Sequence, residues 1–124
     1  MNASTFTRGF LHAALAAGLA LAASVASAQA WPAKPITIVS PYPAGGITDL
    51  LSRIVGDELA KVLGQPVVVE NRTGAGGAIA LATVAKAAPD GYTLVMGGSA
   101  PSAIVPALNR NITYVPKDFE AIGY

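Results

Sequence analysis

Three times between Ile36 and Leu108 the chain passes from a short β-branched run through a glycine-bearing loop into a helical stretch. That alternation limits the fold more than any other feature of the sequence. Ile36 to Ser40 is bounded by prolines and reads as a buried strand. Residues 41–48 form a loop, and residues 49–63 read as a helix. Leu51, Val55, Leu59 and Val62 share one face of that helix, with Ile54 and Leu63 flanking, while Arg53, Gly56, Asp57 and Lys61 lie mostly on the other side. Thr48 or Asp49 is the natural N-cap, and Gly64 suits the position just past the end. Strand 67–70, loop 71–77 and helix 78–88 make the second unit, closed by a turn at 89–92. Strand 93–96, loop 97–101 and a short helix 102–108 make the third, and residues 118–124 are expected to begin another strand. Strand, loop and helix in alternation predict an α/β fold with a parallel or mixed sheet and flanking helices. The units share no fixed-period motif, so the repetition is architecture and not a solenoid.

In sheets of this kind ligands sit beyond the carboxyl ends of the strands, near a switch in strand order. All three glycine loops leave strand carboxyl ends, so they should meet in one crevice. Pro41 and Pro43 stiffen the first loop, whose backbone donors are Tyr42, Ala44, Gly45, Gly46, Ile47 and Thr48. The helix that follows adds unpaired N–H groups and a partial positive charge. The second loop repeats the arrangement with Gly74, Ala75, Gly76 and Gly77. Such loops suit a small anion, either a carboxylate or a phosphate. Nucleotide motifs are missing: Gly77 is followed by Ala78-Ile79 and not by Lys-Ser/Thr, and residues 74–80 do not supply G-x-G-x-x-G. Ser99 and Ser102 are small donors at the end of the third strand, and Tyr42 is placed to cover one side of a ligand. Asp49 reads more readily as a helix cap than as a ligand contact. Arg72 can pair with a carboxylate or be solvated, and the surface reading is preferred. The Asn-x-Thr runs at Asn71 and Asn111 read as chance matches to a glycosylation signal.

The first thirty residues have another character. Arg8 is the one charge before an apolar run of Ala, Leu and a single Gly, and small residues alternate from Ser24 to Ala30. This is the order of a cleavable secretory signal. Cleavage fits after Ala28 or after Ala30, and Ala30 is preferred because it leaves Trp31-Pro32 as the mature start. A retained span needs about 20 mostly apolar residues, and this Ala-rich stretch is marginal for that. The mean hydropathy of +0.50 is raised by this segment. We therefore expect domains at 1–30 (signal) and 31–124, with no stable membrane insertion after cleavage. Beyond Arg8, seven basic residues face seven acids, with no basic run interleaved with aromatics, which argues against a nucleic-acid partner. The chain has no Cys, and its one His, His12, lies in the leader. The mature part thus lacks the usual zinc ligands and the base of a Ser-His-Asp or Cys-His pair. No metal, no cofactor and no catalytic residue are expected.

Several motifs in order carry a resemblance. They are Trp31-Pro-Ala-Lys-Pro-Ile36, Pro41-Tyr-Pro-Ala-Gly-Gly-Ile-Thr-Asp49 and Gly64-Gln-Pro-Val-Val-Val-Glu-Asn71, then Gly74-Ala-Gly-Gly77, Ala88-Pro-Asp-Gly-Tyr92 and Lys117-Asp-Phe119. Together they resemble the substrate-binding proteins of tripartite tricarboxylate transporters, the Bug (TctC-like) family. The resemblance implies a two-lobed, type II periplasmic-binding-protein-like fold of which only the N-terminal part of the first lobe is present. It also implies a periplasmic protein that captures a small carboxylate (a di- or tricarboxylate, an acidic amino acid or similar) and delivers it to a membrane permease. Carried onto this chain, the ligand-binding set is Tyr42, Ala44, Gly45, Gly46, Thr48, Asp49, Gly74, Ala75, Gly76, Gly77, Ser99 and Ser102. Ala44 stands where members commonly have Pro. The alternatives are an exported α/β enzyme such as a hydrolase, or a truncated chain with no binding activity of its own.

Overall fold

The computed structural model describes residues 30–123, so the expectations for a leader and its cleavage lie, except at their last residue, outside it. Contacts divide the chain between Trp31 and Pro32, and every regular element described belongs to the second unit. Its elements are β1 (Ile36–Ser40), α1 (Ile47–Leu63), β2 (Val67–Asn71), α2 (Ala78–Ala85), β3 (Thr93–Val95) and α3 (Val105–Leu108). The strands form one sheet in the order β2-β1-β3, and both pairings are parallel. The register sets Ile36 opposite Val67 and Ser40 opposite Asn71 on one side, and Thr37 opposite Thr93 on the other.

Central β1 is the most buried strand, with Ile36, Ile38, Val39 and Ser40 all excluded from solvent. Successive side chains of a strand point to opposite faces. Ile38 accordingly meets Gly56 of α1, whereas Val39 joins Ala78, Ala80 and Leu81 of α2 and Tyr114 in the other core. The two helices therefore cover opposite faces of the sheet. This follows from right-handed crossovers that run from β1 out to β2 and then back across β1 to β3.

Three local expectations are corrected. Helix α1 starts at Ile47 with Gly46 as N-cap, so neither Thr48 nor Asp49 caps it. Its sheet-facing stripe is Asp49, Ser52 and Gly56, not the apolar one. A Cβ on Gly56 would lie 3.3 Å from Val67 Cγ1, so a small residue lets helix and sheet approach closely. Ile47, Leu50, Leu51, Ile54, Val55 and Val62 are exposed instead. Finally, residues 119–123 form no strand; Pro116–Asp118 make a 3₁₀ turn, and Phe119 sets its ring edge-on to Tyr114 at 5.8 Å. Smaller differences occur at element ends. Helix α2 stops at Ala85, and the third helical stretch begins early, as a π-helical turn over Ala100–Ile104 leading into α3.

Candidate functional site

The three loops that follow the strands come together at one end of the sheet. Gly77, closing the second loop, has φ +93, and a Cβ there would lie 2.9 Å from Pro101 Cβ and 3.1 Å from Pro41 Cβ. Pro41 begins the first loop and Pro101 lies in the third, so Gly77 is the point where all three touch. The third loop is also tied from behind: the buried Tyr114 hydroxyl donates to Pro101 O at 2.6 Å. Removal from water raises the pKa of that hydroxyl, which keeps it a neutral donor.

Asp49 organises the first loop. Its side chain is buried, the residue being 4 % exposed. Oδ2 accepts from Gly45 N at 2.9 Å and from Arg53 Nε at 3.1 Å; Oδ1 accepts from the other arm of Arg53 at 3.0 Å and from Asn71 Nδ2 at 2.9 Å. The Arg53 bonds, then the Gly45 amide and Asn71, hold its pKa down at about 2 against the opposing effect of burial. Arg53 is correspondingly raised. The same Asn71 amide also donates to Tyr42 O at 3.0 Å, so one side chain at the end of β2 grips two points of the first loop. Beside it, Arg72 pairs with Glu70 at 2.8 Å on the surface, and its backbone N–H continues the ladder to Ser40 O.

The residues singled out in the sequence fall into two groups. Ala44, Gly45, Gly46, Gly74, Ala75, Gly76 and Ser99 are exposed, and Tyr42, Thr48 and Ser102 are half-buried. Asp49 and Gly77 are buried and serve the chain itself. Among the described residues, the backbone amides of Ala44, Ile47, Thr48, Ala75 and Gly76 donate to no protein acceptor. Ala75 has φ +47, a conformation a residue with a Cβ adopts at a cost, held here between two glycines. Sequence reasoning missed two groups. Asn71 stands out in the sequence as part of a sequon and as the end of one of the resemblance motifs, with no role assigned to it, although a polar side chain ending a strand of valines was the available signal. Ser40 Oγ, at the end of β1, is buried without a hydrogen-bond partner, and nothing in the sequence marks it. Among the described residues no cluster of His, Cys, Asp or Glu is arranged to hold a metal ion, and no helix is long and apolar enough to cross a membrane.

A family model described as the tripartite tricarboxylate transporter family receptor matches residues 51–124. The chain belongs to this receptor family. Among its relatives is the protein BugT of Bordetella pertussis, 47% identical over 93 residues, a match covering 74% of this chain and 28% of BugT. The solved structure of MatC from Rhodopseudomonas palustris, with bound malate, is 43% identical with a TM-score of 0.68, covering 72% of this chain and 31% of MatC. A second R. palustris protein, solved with adipate, is also 43% identical, with a TM-score of 0.51 over 52% of this chain and 22% of its own. This receptor chain thus spans about a third or less of the length of the relatives it matches. Similar receptors include periplasmic binding proteins, and these two, solved with ligands, hold small dicarboxylates. The α/β class expected from the alternation, and the resemblance to this family, both stand.

Proposed function

We propose that this chain is the carboxylate-gripping part of a periplasmic solute-binding receptor, and not an enzyme. Its role is to capture a small carboxylated metabolite and present it to the permease of a tripartite tricarboxylate transporter. The observation that carries this reading is the meeting of three glycine loops at one sheet end, with unpaired amides at Ala44, Ile47, Thr48, Ala75 and Gly76. Amides of this kind complement the negative oxygens of a carboxylate and need no metal. Malate in MatC and adipate in the second R. palustris protein support a dicarboxylate as the ligand class.

In this reading Tyr42, Ala44, Gly45, Gly46 and Thr48 form one side of the grip, Gly74 to Gly77 the other, and Ser99 and Ser102 the third. Asp49 is part of the site as its internal frame: four hydrogen bonds from its own chain already fill its oxygens. The leader at 1–30 directs export and is removed, leaving the unit from residue 31 in the periplasm.

A hydrogen bond to a charged group contributes roughly 1.5–3 kcal/mol, and micromolar affinity needs about 8 kcal/mol. Two or three loop contacts supply about half of that. The remainder is assigned to the part of the relatives that this chain does not span, and to exclusion of water when two lobes close. The test is titration calorimetry of the full chain with malate, adipate, citrate and acidic amino acids at concentrations well into the millimolar range, which about 4 kcal/mol of binding requires. Saturable binding of a carboxylate, displaced by a second carboxylate of the same set, supports the proposal. Silence toward every anionic metabolite, or turnover of an ester substrate, overturns it.

A further inference from the structure

Of the groups at this end of the sheet, Asn71 has the least expected connection. It sits on β2, yet both of its hydrogen bonds go to the loop that follows β1 and the helix start beyond it: Tyr42 O at 3.0 Å and Asp49 Oδ1 at 2.9 Å. Both partners are acceptors, a carbonyl and an ionised carboxylate, so the group between them must be the NH₂ and not the oxygen of the amide. Asn71 is also the last residue of its strand, paired with Ser40 across the ladder, and the second glycine loop starts immediately after it. The backbone fixes where Asn71 stands, and its side chain fixes the first loop relative to it.

We propose that Asn71 is a positioning residue for ligand capture, clamping the first glycine loop to the root of the second so that both present their unpaired amides at a fixed separation. The inference rests on the carboxylate-binding reading above. The clamp reaches the ligand loop through Asp49: the carboxylate that Asn71 holds is the one that receives the Gly45 N–H. Without the clamp Tyr42 O loses its side-chain donor, and Asp49, which holds the turn through Gly45, is steadied by Arg53 alone, a half-exposed side chain. A loop that must be ordered by the ligand binds it more weakly than one ordered beforehand.

The test uses the full chain with Asn71→Ala and Asn71→Asp. The second keeps the shape of the side chain but replaces the donor with an acceptor facing Asp49. Ser52→Ala serves as the control, since it removes a buried bond in the same helix as Asp49, Ser52 Oγ to Thr48 O at 2.7 Å, without touching the link between loops. Two measurements are made on each variant. In ligand-free protein, the Gly45 amide is followed by nitrogen–proton correlation spectra and hydrogen exchange. Both Asn71 variants should shift it and speed its exchange, and Ser52→Ala should not. In titrations with malate and adipate, both Asn71 variants should lose about tenfold in affinity, the scale of a lost preorganising contact, while Ser52→Ala lowers the unfolding midpoint and leaves affinity alone.

An unchanged Gly45 amide in Asn71→Ala overturns the clamp whatever the ligand result. So does affinity that falls equally in Ser52→Ala, because the loss would then follow stability and not position. If the Gly45 amide responds but the parent binds no carboxylate, the clamp stands as loop architecture and the carboxylate reading is what fails. If Asn71→Asp does not fold, Asn71→Ala carries both measurements.

Discussion

A carboxylate that accepts from an amide, a guanidinium and an asparagine stays ionised far into acid. Asp49 has its pKa lowered from 3.8 to about 2. Because folding favours its charged form, it adds stability above pH 3.8, and that increment fades as pH falls through about 2. Asp49→Asn should therefore be less stable at neutral pH and lose stability less steeply between about pH 4 and 2. Urea titrations at stepped pH check both. The glycines of the loops separate in the same way by what surrounds them. Gly45 has φ +83, and a Cβ added there would meet nothing within 4 Å, so Gly45→Ala should cost about 1 kcal/mol, the conformational term alone. Gly77→Ala adds contacts of 2.9 and 3.1 Å with two proline rings, and should cost a further 1–3 kcal/mol or so by overpacking. Thermal or denaturant unfolding of the two variants side by side distinguishes them.

The periodicity of helix α1 gives its place along the chain correctly and its orientation wrongly. The pattern of Leu51, Val55, Leu59 and Val62 is apolar, and burial of apolar surface is the default expectation. Contact with the sheet is instead made through Asp49, Ser52 and Gly56, because the loop network needs Asp49 inside and close approach needs a residue without a side chain at 56. Gly45, Arg53 and Thr48, which satisfy most of this polar burial, lie four residues from their partners, but Asn71 lies 22 residues from Asp49, and a local pattern carries no trace of it. Strands are more legible. Ile36–Ser40 and Val67–Asn71 are β-branched runs cut off by proline and glycine, and their limits need at most one residue of adjustment. The site is half legible: glycines at strand ends mark where the loops are, but not that Gly77 joins them or that Asp49 is spoken for. Two substitutions test the orientation. Gly56→Leu should destabilise by about 1–3 kcal/mol, while Val62→Ser, 81% exposed, should stay within about 0.5 kcal/mol. Denaturant midpoints measure both.

On the scale of the molecule, the outward stripe of α1, from Ile47 to Val62, is a run of apolar surface larger than isolated exposed residues make. The full chain should bind a hydrophobic dye such as ANS in its folded state, and Ile47→Lys with Ile54→Lys should reduce that signal without lowering the unfolding midpoint. The sheet order has another consequence. Among the described strands β1 comes first and is central in the sheet, so neither of its edges can be paired locally: Ile36 waits for Val67, and Thr37 for Thr93. Pairings between residues so far apart in sequence must close large loops before any contact rewards them, and such topologies fold slowly. Refolding from denaturant should accordingly be slow for so small a unit, on the order of milliseconds to seconds. While Thr93 to Val95 remain unavailable, the central strand lacks one neighbour, and the nascent chain stays open. The order of strands thus delays completion of the sheet until residues 93–95 are available.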